Sequence, residues 1–274
     1  MALKISFTTL ACPDWDLDTI IARAVEYGYD AVDFRMLQGQ MAIYELPEFS
    51  SRIEQTKGKL SDAGLVVSGI SSSARMFASS ADKRAEHLEI VRRQAEVCDA
   101  LGVGYIRVFG GKMEGTGLDE AISISLDTLS EMSAAAGSVN IAVETHDDWV
   151  HTSRLAKLFD KVSADNVFIL WDLHHPFRLA GESPRQTYDN IGRFTRYTHL
   201  KDSKATSDGS FVSMLPGEGG DVPLDKMVEL LIAGGYEGYL TLEWEKHWHR
   251  DIAAPEVALP AYVPFMRKLA ERGA

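Results

Sequence analysis

Cysteine is nearly absent, with Cys12 and Cys98 the only two in 274 residues. Two thiols cannot build a disulfide framework, so the fold has to come from an apolar core, and a reducing cytoplasm is the simplest setting. Positive charge is also short: 28 Lys and Arg stand against 40 Asp and Glu, a formal charge of −12 at pH 7. An acidic surplus repels a phosphate backbone, which argues against a nucleic-acid partner. Long apolar runs are missing too. Nothing approaches the ~18 uninterrupted apolar residues of a membrane helix, so no membrane partner is expected. In the opening stretch MALKISFTTLACPDW, Thr8, Thr9 and Asp14 break the apolar run that a signal peptide would need. What remains, 45% apolar and 25% charged residues, is the composition of a soluble globular protein.

Short runs rich in Val, Ile, Phe and Tyr alternate with longer segments of helical period. The runs are Lys4 to Thr9, Ala31 to Met36, Val66 to Ser71, Tyr105 to Gly110, Asn140 to His146, Val167 to His174, Tyr197 to Lys201 and Tyr239 to Glu245. In most intervening segments apolar residues recur at three and four, as in helices covering a sheet. A last helix is expected over Pro255 to Glu271. Gly28, Gly64, Gly102, Gly137 and Gly235 stand where helices should stop, and Asp82, Asp119, Thr152 and Ser183 where N-caps are needed. Eight strand-then-helix repeats in this length predict a closed α/β (β/α)8 TIM barrel, one domain over residues 1–274. An open doubly wound sheet is the alternative, but there is no linker to a second domain and no GxGxxG at the first turn. Two connections are long, Asp202 to Pro223 and Lys246 to Pro255, and loops of this size are commonly lids or binding loops.

In a barrel the chemistry sits at the carboxyl ends of the strands. The last four strands end in AVETHDD, LWDLHHP, YTHLKDS and TLEWEKH, and each brings a candidate ligand to the same rim: Glu144, Asp172, His199 and Glu243. Strand parity places them with Ala142, Leu170, Tyr197 and Thr241 on one face, opposite Val143, Trp171, Leu200 and Leu242. Three carboxylates so close would repel strongly, and a divalent cation is the simplest remedy. Three oxygen donors and one imidazole favour Mn²⁺, Mg²⁺ or Co²⁺, with Zn²⁺ also compatible.

These motifs carry a resemblance. GYDAVDFR, WDLHH, THLKD and GEGGDVPLDKMVELLIAGGYEGYLTLEWE together are similar to the xylose-isomerase-like TIM-barrel superfamily of sugar-phosphate and ketose isomerases and epimerases. The resemblance implies a single divalent metal on Glu144, Asp172, His199 and Glu243, with Glu144 and Glu243 doubling as catalytic acid and base. It also implies a substrate contact for His175. A carboxylate on either side of a metal-stabilised enediolate would give epimerisation or aldose–ketose interconversion. One departure from the epimerase pattern is Val150, where those enzymes carry a substrate-contacting acid; this leaves the keto-polyol branch open. Self-association as a homodimer or homotetramer is a further expectation from the resemblance.

Lys201 shares the inward face of His199 and could polarise a hydroxyl; His146, Arg107 and Arg35 could meet substrate oxygens or pair with the excess acid. Trp149, His247 and Trp248 could make a sugar-stacking wall or a subunit interface. Gly110-Gly111-Lys112 and Gly217 to Gly220 could cradle a phosphate through backbone N–H groups. Two competing activities use the same scaffold. An inosose or keto-sugar dehydratase would share the metal and the base but expel a β-hydroxyl. A three-zinc apurinic endonuclease would need additional histidines in SSSARMF, FGGKMEG and KATSDGS, where there are none.

Overall fold

The computed structural model describes residues 2–273. In chain order its strands are β1 (Lys4–Thr8), β2 (Ala31–Phe34), β3 (Val66–Arg75), β4 (Tyr105–Phe109), β5 (Asn140–Glu144), β6 (Val167–Asp172), β7 (Thr195–Leu200), β8 (Asp202–Ala205), β9 (Phe211–Met214) and β10 (Tyr239–Leu242). Eight of them close into a barrel in the order β1-β10-β7-β6-β5-β4-β3-β2, parallel throughout, while β8 and β9 pair as a separate antiparallel hairpin. The eight barrel strands fall on the eight predicted runs. The helices around them are α1 (Leu17–Tyr27), α2 (Ile53–Asp62), α3 (Ala81–Leu101), α4 (Leu118–Ala136), α5 (Thr152–Phe159), α6 (His175–Ala180), α7 (Pro184–Ile191), α8 (Leu224–Ala233) and α9 (Pro255–Ala270).

α1 shows how local signals and burial cooperate. The Asp16 carboxylate accepts from the Thr19 N–H at 2.8 Å, a cap worth about 1 kcal/mol, and Gly28 ends the helix in the left-handed region at φ 87°. Between them Leu17, Ile20, Ile21 and Ala24 turn one face onto the barrel. Of the four expected N-caps, only Ser183 has that role, accepting from the Gln186 N–H at 3.2 Å. α3 is capped by Ser80 rather than Asp82, α4 starts after Gly117 rather than at Asp119, and Thr152 is already inside α5. In α3 and α4 the acidic residue sits instead in the first helical turn, where it still meets the positive end of the helix dipole.

The barrel has two apolar regions. Ile5, Phe7, Val32, Ile106, Val143, Trp171 and Leu242 face outward into the main core under the helices, all fully buried. Ala142, Leu170 and Tyr197 form a separate inner cluster, with Tyr105 and Tyr239 against it. The inner cluster is the layer that parity assigned beneath the ligand residues, and it carries them upward to the barrel mouth.

The stretch Asp202 to Pro223 is not a structureless loop. Its first part, Asp202 to Met214, forms the β8–β9 hairpin, while 215–223 stays a loop leading to α8; Phe211 on β9 packs edge-on against His174, ring centres 4.9 Å apart. Lys246 to Pro255 does remain a loop, tied to the first βα connection by the His247 N–H donating to the Leu10 carbonyl at 3.1 Å.

Candidate metal centre and active site

Glu144 and Asp172 are the last residues of β5 and β6, His199 is one residue from the end of β7, and Glu243 follows β10 directly. Adjacent-strand register sets Asp172 beside His199, and His199 beside Thr241. One ligand atom from each of Glu144, Asp172, His199 and Glu243 lies within 4.8 Å of the others, and all four side chains are buried. His199 Nδ1 is 3.3 Å from Glu243 Oε1 and 3.8 Å from Glu144 Oε1. Both oxygens of Glu144, and Nδ1 of His199, are buried without a hydrogen-bond partner. Unpaired buried acceptors cost free energy, and three carboxylates with one imidazole form a donor set that a divalent cation satisfies. The residues fit such an ion.

Around the cluster stand its compensating charges. Burial alone would push the Glu144 carboxyl up, but the Arg107 guanidinium, with Nη1 3.3 Å from Oε2, holds it below its usual value. Arg107 itself is flattened over Phe109, 3.8 Å from the ring centre. Lys201 Nζ donates to Asp172 Oδ2 at 2.8 Å and to Glu243 Oε2 at 2.5 Å. Burial works against both charges of that pair; Asp172 and Glu243 nevertheless hold the ammonium well above its ordinary range, and Lys201 with His199 holds Glu243 well below its own. Burial also disfavours a charged His199, but Glu243 and Asp33 push its pKa well above the usual histidine value. Asp172 Oδ1 is fixed by the backbone N–H groups of His174 and His175, at 2.7 and 2.9 Å.

The remaining candidates differ in how they meet the cluster. His175 is at the cluster, Nδ1 3.2 Å from Asp172 Oδ2, and burial followed by the Lys201 charge keeps its ring neutral. His146 stands one step out, its ring 4.9 Å from that of His175 and 4.7 Å from Phe109. Arg35 is buried at the mouth, donating to the Ser71 carbonyl at 3.3 Å, and burial then Arg107 pull its pKa down. Trp149 does not form a sugar-stacking wall. It is fully buried, and a Cβ at Gly110 would come within 2.3 Å of its Cδ1, so the glycine is there to admit the indole. Trp248 is exposed, with His247 edge-on at 4.3 Å. The Gly110-Gly111-Lys112 turn is not a free phosphate cradle, because Asp147 Oδ2 takes the Gly111 N–H at 3.2 Å and Asp148 Oδ2 takes that of Met113 at 2.7 Å. Among Gly217 to Gly220, Gly220 lies hard against Asp202, a tight backbone approach.

Sequence reading missed one participant, Asp33 on β2. Its Oδ2 accepts from Tyr197 Oη at 3.0 Å and faces His199 Nε2 at 3.4 Å, and Tyr197 Oη also reaches Ser68 Oγ at 2.8 Å. Inward parity on β2 was its only signal.

Three comparisons bear on this geometry. A fructoselysine 3-epimerase of Escherichia coli O157:H7 is 33% identical over 82 residues, 30% of this chain, and the match spans 28% of that relative's length. The structure of an IOLI protein with a bound zinc atom superposes with a TM-score of 0.83 at 18% identity, covering 99% of each chain. D-psicose 3-epimerase, solved in the presence of D-fructose, gives a TM-score of 0.77 at 13% identity, covering 99% of this chain and 100% of the other. At such identities the two structures speak for the fold. Family membership rests on the sequence itself, for residues 21–269 match one family description nearly end to end: the chain belongs to the xylose isomerase-like TIM barrel family.

Proposed function

We propose that the protein is a divalent-metal-dependent ketose or keto-polyol isomerase or epimerase. The observation that carries this reading is the convergence of Glu144, Asp172, His199 and Glu243 within 4.8 Å at the mouth of the barrel, two of the four being glutamates. The fructoselysine and D-psicose 3-epimerases among its relatives support a ketose substrate.

When bound, a divalent ion there supplies Lewis acidity that polarises a carbonyl and the neighbouring hydroxyl and so acidifies the intervening C–H bond. The chain's own residues do the rest. Lys201 and Arg107 keep Glu243 and Glu144 ionised at neutral pH, so each carboxylate is ready to accept a proton. One takes the proton from the carbon beside the carbonyl, leaving the electron pair on the enediolate oxygen. The other takes up a proton from a substrate hydroxyl or from solvent and delivers it to the opposite face of the carbon, and the configuration inverts. Lys201 and His175 flank the same space and orient substrate hydroxyls.

The test is incubation of Mn²⁺-loaded protein with a panel of ketoses and inososes in deuterium oxide. Deuterium incorporated at carbon with no loss of mass beyond exchange supports an isomerase or epimerase. Loss of one water identifies a dehydratase on the same site, and no exchange on any substrate refutes the proposal. The Glu144→Gln and Glu243→Gln variants are each expected to lower exchange by at least about 100-fold, the usual worth of a positioned acid or base, while remaining folded.

A further inference from the structure

Among the described residues the barrel interior buries three cations, Arg35, Arg107 and Lys201, against four carboxylates, Asp33, Glu144, Asp172 and Glu243. The other buried acid, Glu182, lies outside the barrel, bound to Thr152 of α5 and Thr187 of α7. Lys201 is committed to Asp172 and Glu243. The two arginines are not committed in this way. We propose that Arg35 and Arg107 bind the carboxylate of a 2-keto sugar acid and hold it next to the ketone that the metal cluster engages. The inference rests on the ketose reading above and names the substrate class for it.

Arg107 stands on β4 in register with Ala142 of the inner layer and is 2% exposed. Its Nη1 comes within 3.3 Å of Glu144 Oε2, but the approach is not an aligned hydrogen bond. Nε and Nη1 of the arginine and both oxygens of Glu144 are left without partners. A buried guanidinium with free N–H groups is costly until an acceptor arrives. Phe109, 3.8 Å away, sets the plane of the group, and a stacked guanidinium keeps its in-plane fork for an acceptor. Arg35 follows the end of β2 and has one hydrogen bond from its guanidinium among the described residues, Nη1 to the Ser71 carbonyl at 3.3 Å. Ser71 is the register partner of Arg107. The second guanidinium therefore stands alongside the first, close enough that Arg107 adds to the burial that pulls the Arg35 pKa down.

Charge and distance select the anion. Four buried carboxylates against three buried cations leave the interior with one negative charge. A divalent ion on the four ligands, with His199 neutral, turns that into one positive charge. Glu245 stands outside this count because it lies at the rim, its side chain 25% exposed. A monoanion restores neutrality, whereas a phosphate dianion overshoots it. Distance favours the same choice. Arg107 touches Glu144, which offers an oxygen within 4.8 Å of ligand atoms from the other three residues. An anion on that guanidinium is therefore bonded directly to a carbon held at the cluster. The carboxylate of a 2-keto acid has this connection, while in a ketose 1-phosphate a carbon and an ester oxygen intervene. A carboxylate also accepts from two guanidinium forks. A neutral ketose, with a hydroxymethyl group in its place, leaves them largely unpaired.

2-Keto-D-gluconate is D-fructose with its C1 hydroxymethyl group oxidised to a carboxylate, so the pair isolates the anion. The experiment measures dissociation constants of the Mn²⁺-loaded protein for these two and for D-fructose 1-phosphate by calorimetry, in wild type, Arg35→Met, Arg35→Lys and Arg107→Lys. Bound Mn²⁺ is quantified in each, and deuterium exchange at carbon is followed in parallel. Wild type should bind the keto acid at least about tenfold more tightly than either comparator, the worth of one charge-assisted hydrogen bond. Arg35→Met should bring that ratio toward one with the Mn²⁺ content retained, and Arg35→Lys, which keeps the charge, should preserve part of it. Arg107→Lys, which loses the fork, should lose most of it; should that variant fail to fold, the Arg35 pair carries the test. Absence of a preference in wild type, selection of the phosphate, or loss of Mn²⁺ from Arg35→Met overturns the proposal. So does a preference that survives in Arg35→Met, as plain chelation by the ion would. The two readings fail separately: selective binding without exchange on any ketose or keto acid refutes the reaction and leaves the anion site standing, while exchange without selectivity refutes the anion site alone.

Discussion

The Nε2 atom of His199 faces Oδ2 of Asp33 at 3.4 Å, while Nδ1 of the same ring looks toward Glu144 and Glu243. The two residues are far apart in sequence and meet only because β2 and β7 both line the barrel. A carboxylate on the far nitrogen of a metal-binding histidine fixes its tautomer and orientation, and losing one typically costs 10–100-fold in metal affinity. Asp33→Asn should therefore weaken Mn²⁺ binding by about tenfold or more, with the fold intact by circular dichroism, and Asp33→Glu should recover part of the loss. Unchanged affinity in Asp33→Asn would make the contact incidental.

The charge on His199 sets a pH dependence for metal binding. Without metal, its pKa lies well above the usual value, so the ring is a cation at neutral pH. Its ion pairs then stabilise the fold fully below the unfolded value of about 6.5 and are lost as pH rises through the folded value. A metal requires the neutral ring. Binding should thus release about one proton per ion at pH 7, and affinity should climb as the pH is raised from about 6.5. Titration calorimetry in buffers of different ionisation enthalpy reads this directly. Proton-neutral binding would show that His199 is not a ligand or is neutral beforehand.

Gly110 offers a test of the packing behind the site. A methyl group there would meet Trp149 at 2.3 Å, and the indole is fully buried. Overpacking of this kind costs about 1–3 kcal/mol. Gly110→Ala should lower the midpoint of thermal unfolding accordingly. A midpoint within error of wild type would mean that Trp149 moves aside freely.

Much of this architecture was legible in the sequence, and the reasons are physical. The eight barrel strands are buried on both faces or nearly so, which makes them compact apolar runs. Glu144, Asp172 and His199 share the parity of an inner layer that the structure contains as Ala142, Leu170 and Tyr197. α6 escaped because six residues, HPFRLA, are too few to show a helical period. The β8–β9 hairpin escaped because its strands are four residues each and largely solvent-exposed, so no apolar alternation marks them. The Asp208-Gly209 turn between them, with Gly209 at φ 84°, was the available signal. At α3 the N-cap lies two residues before Asp82 because Ser80, another good cap, accepts from the Lys83 N–H; α4 begins after Gly117, with no side-chain cap, and Asp119 falls in its first turn. Trp149 was misread because its burial depends on the space left by Gly110 on another loop. Asp33 was invisible in function since its partner lies on a strand across the barrel.

The most direct measurement is metal stoichiometry: equilibrium dialysis of purified protein against Mn²⁺, followed by elemental analysis of wild type and of Glu144→Ala, Asp172→Ala, His199→Ala and Glu243→Ala. About one tightly held ion per chain is expected for wild type, with each variant losing most of it while keeping its secondary structure. A wild-type protein that retains no divalent ion, or variants that bind as well as wild type, would contradict the convergence of these four side chains on a common cation.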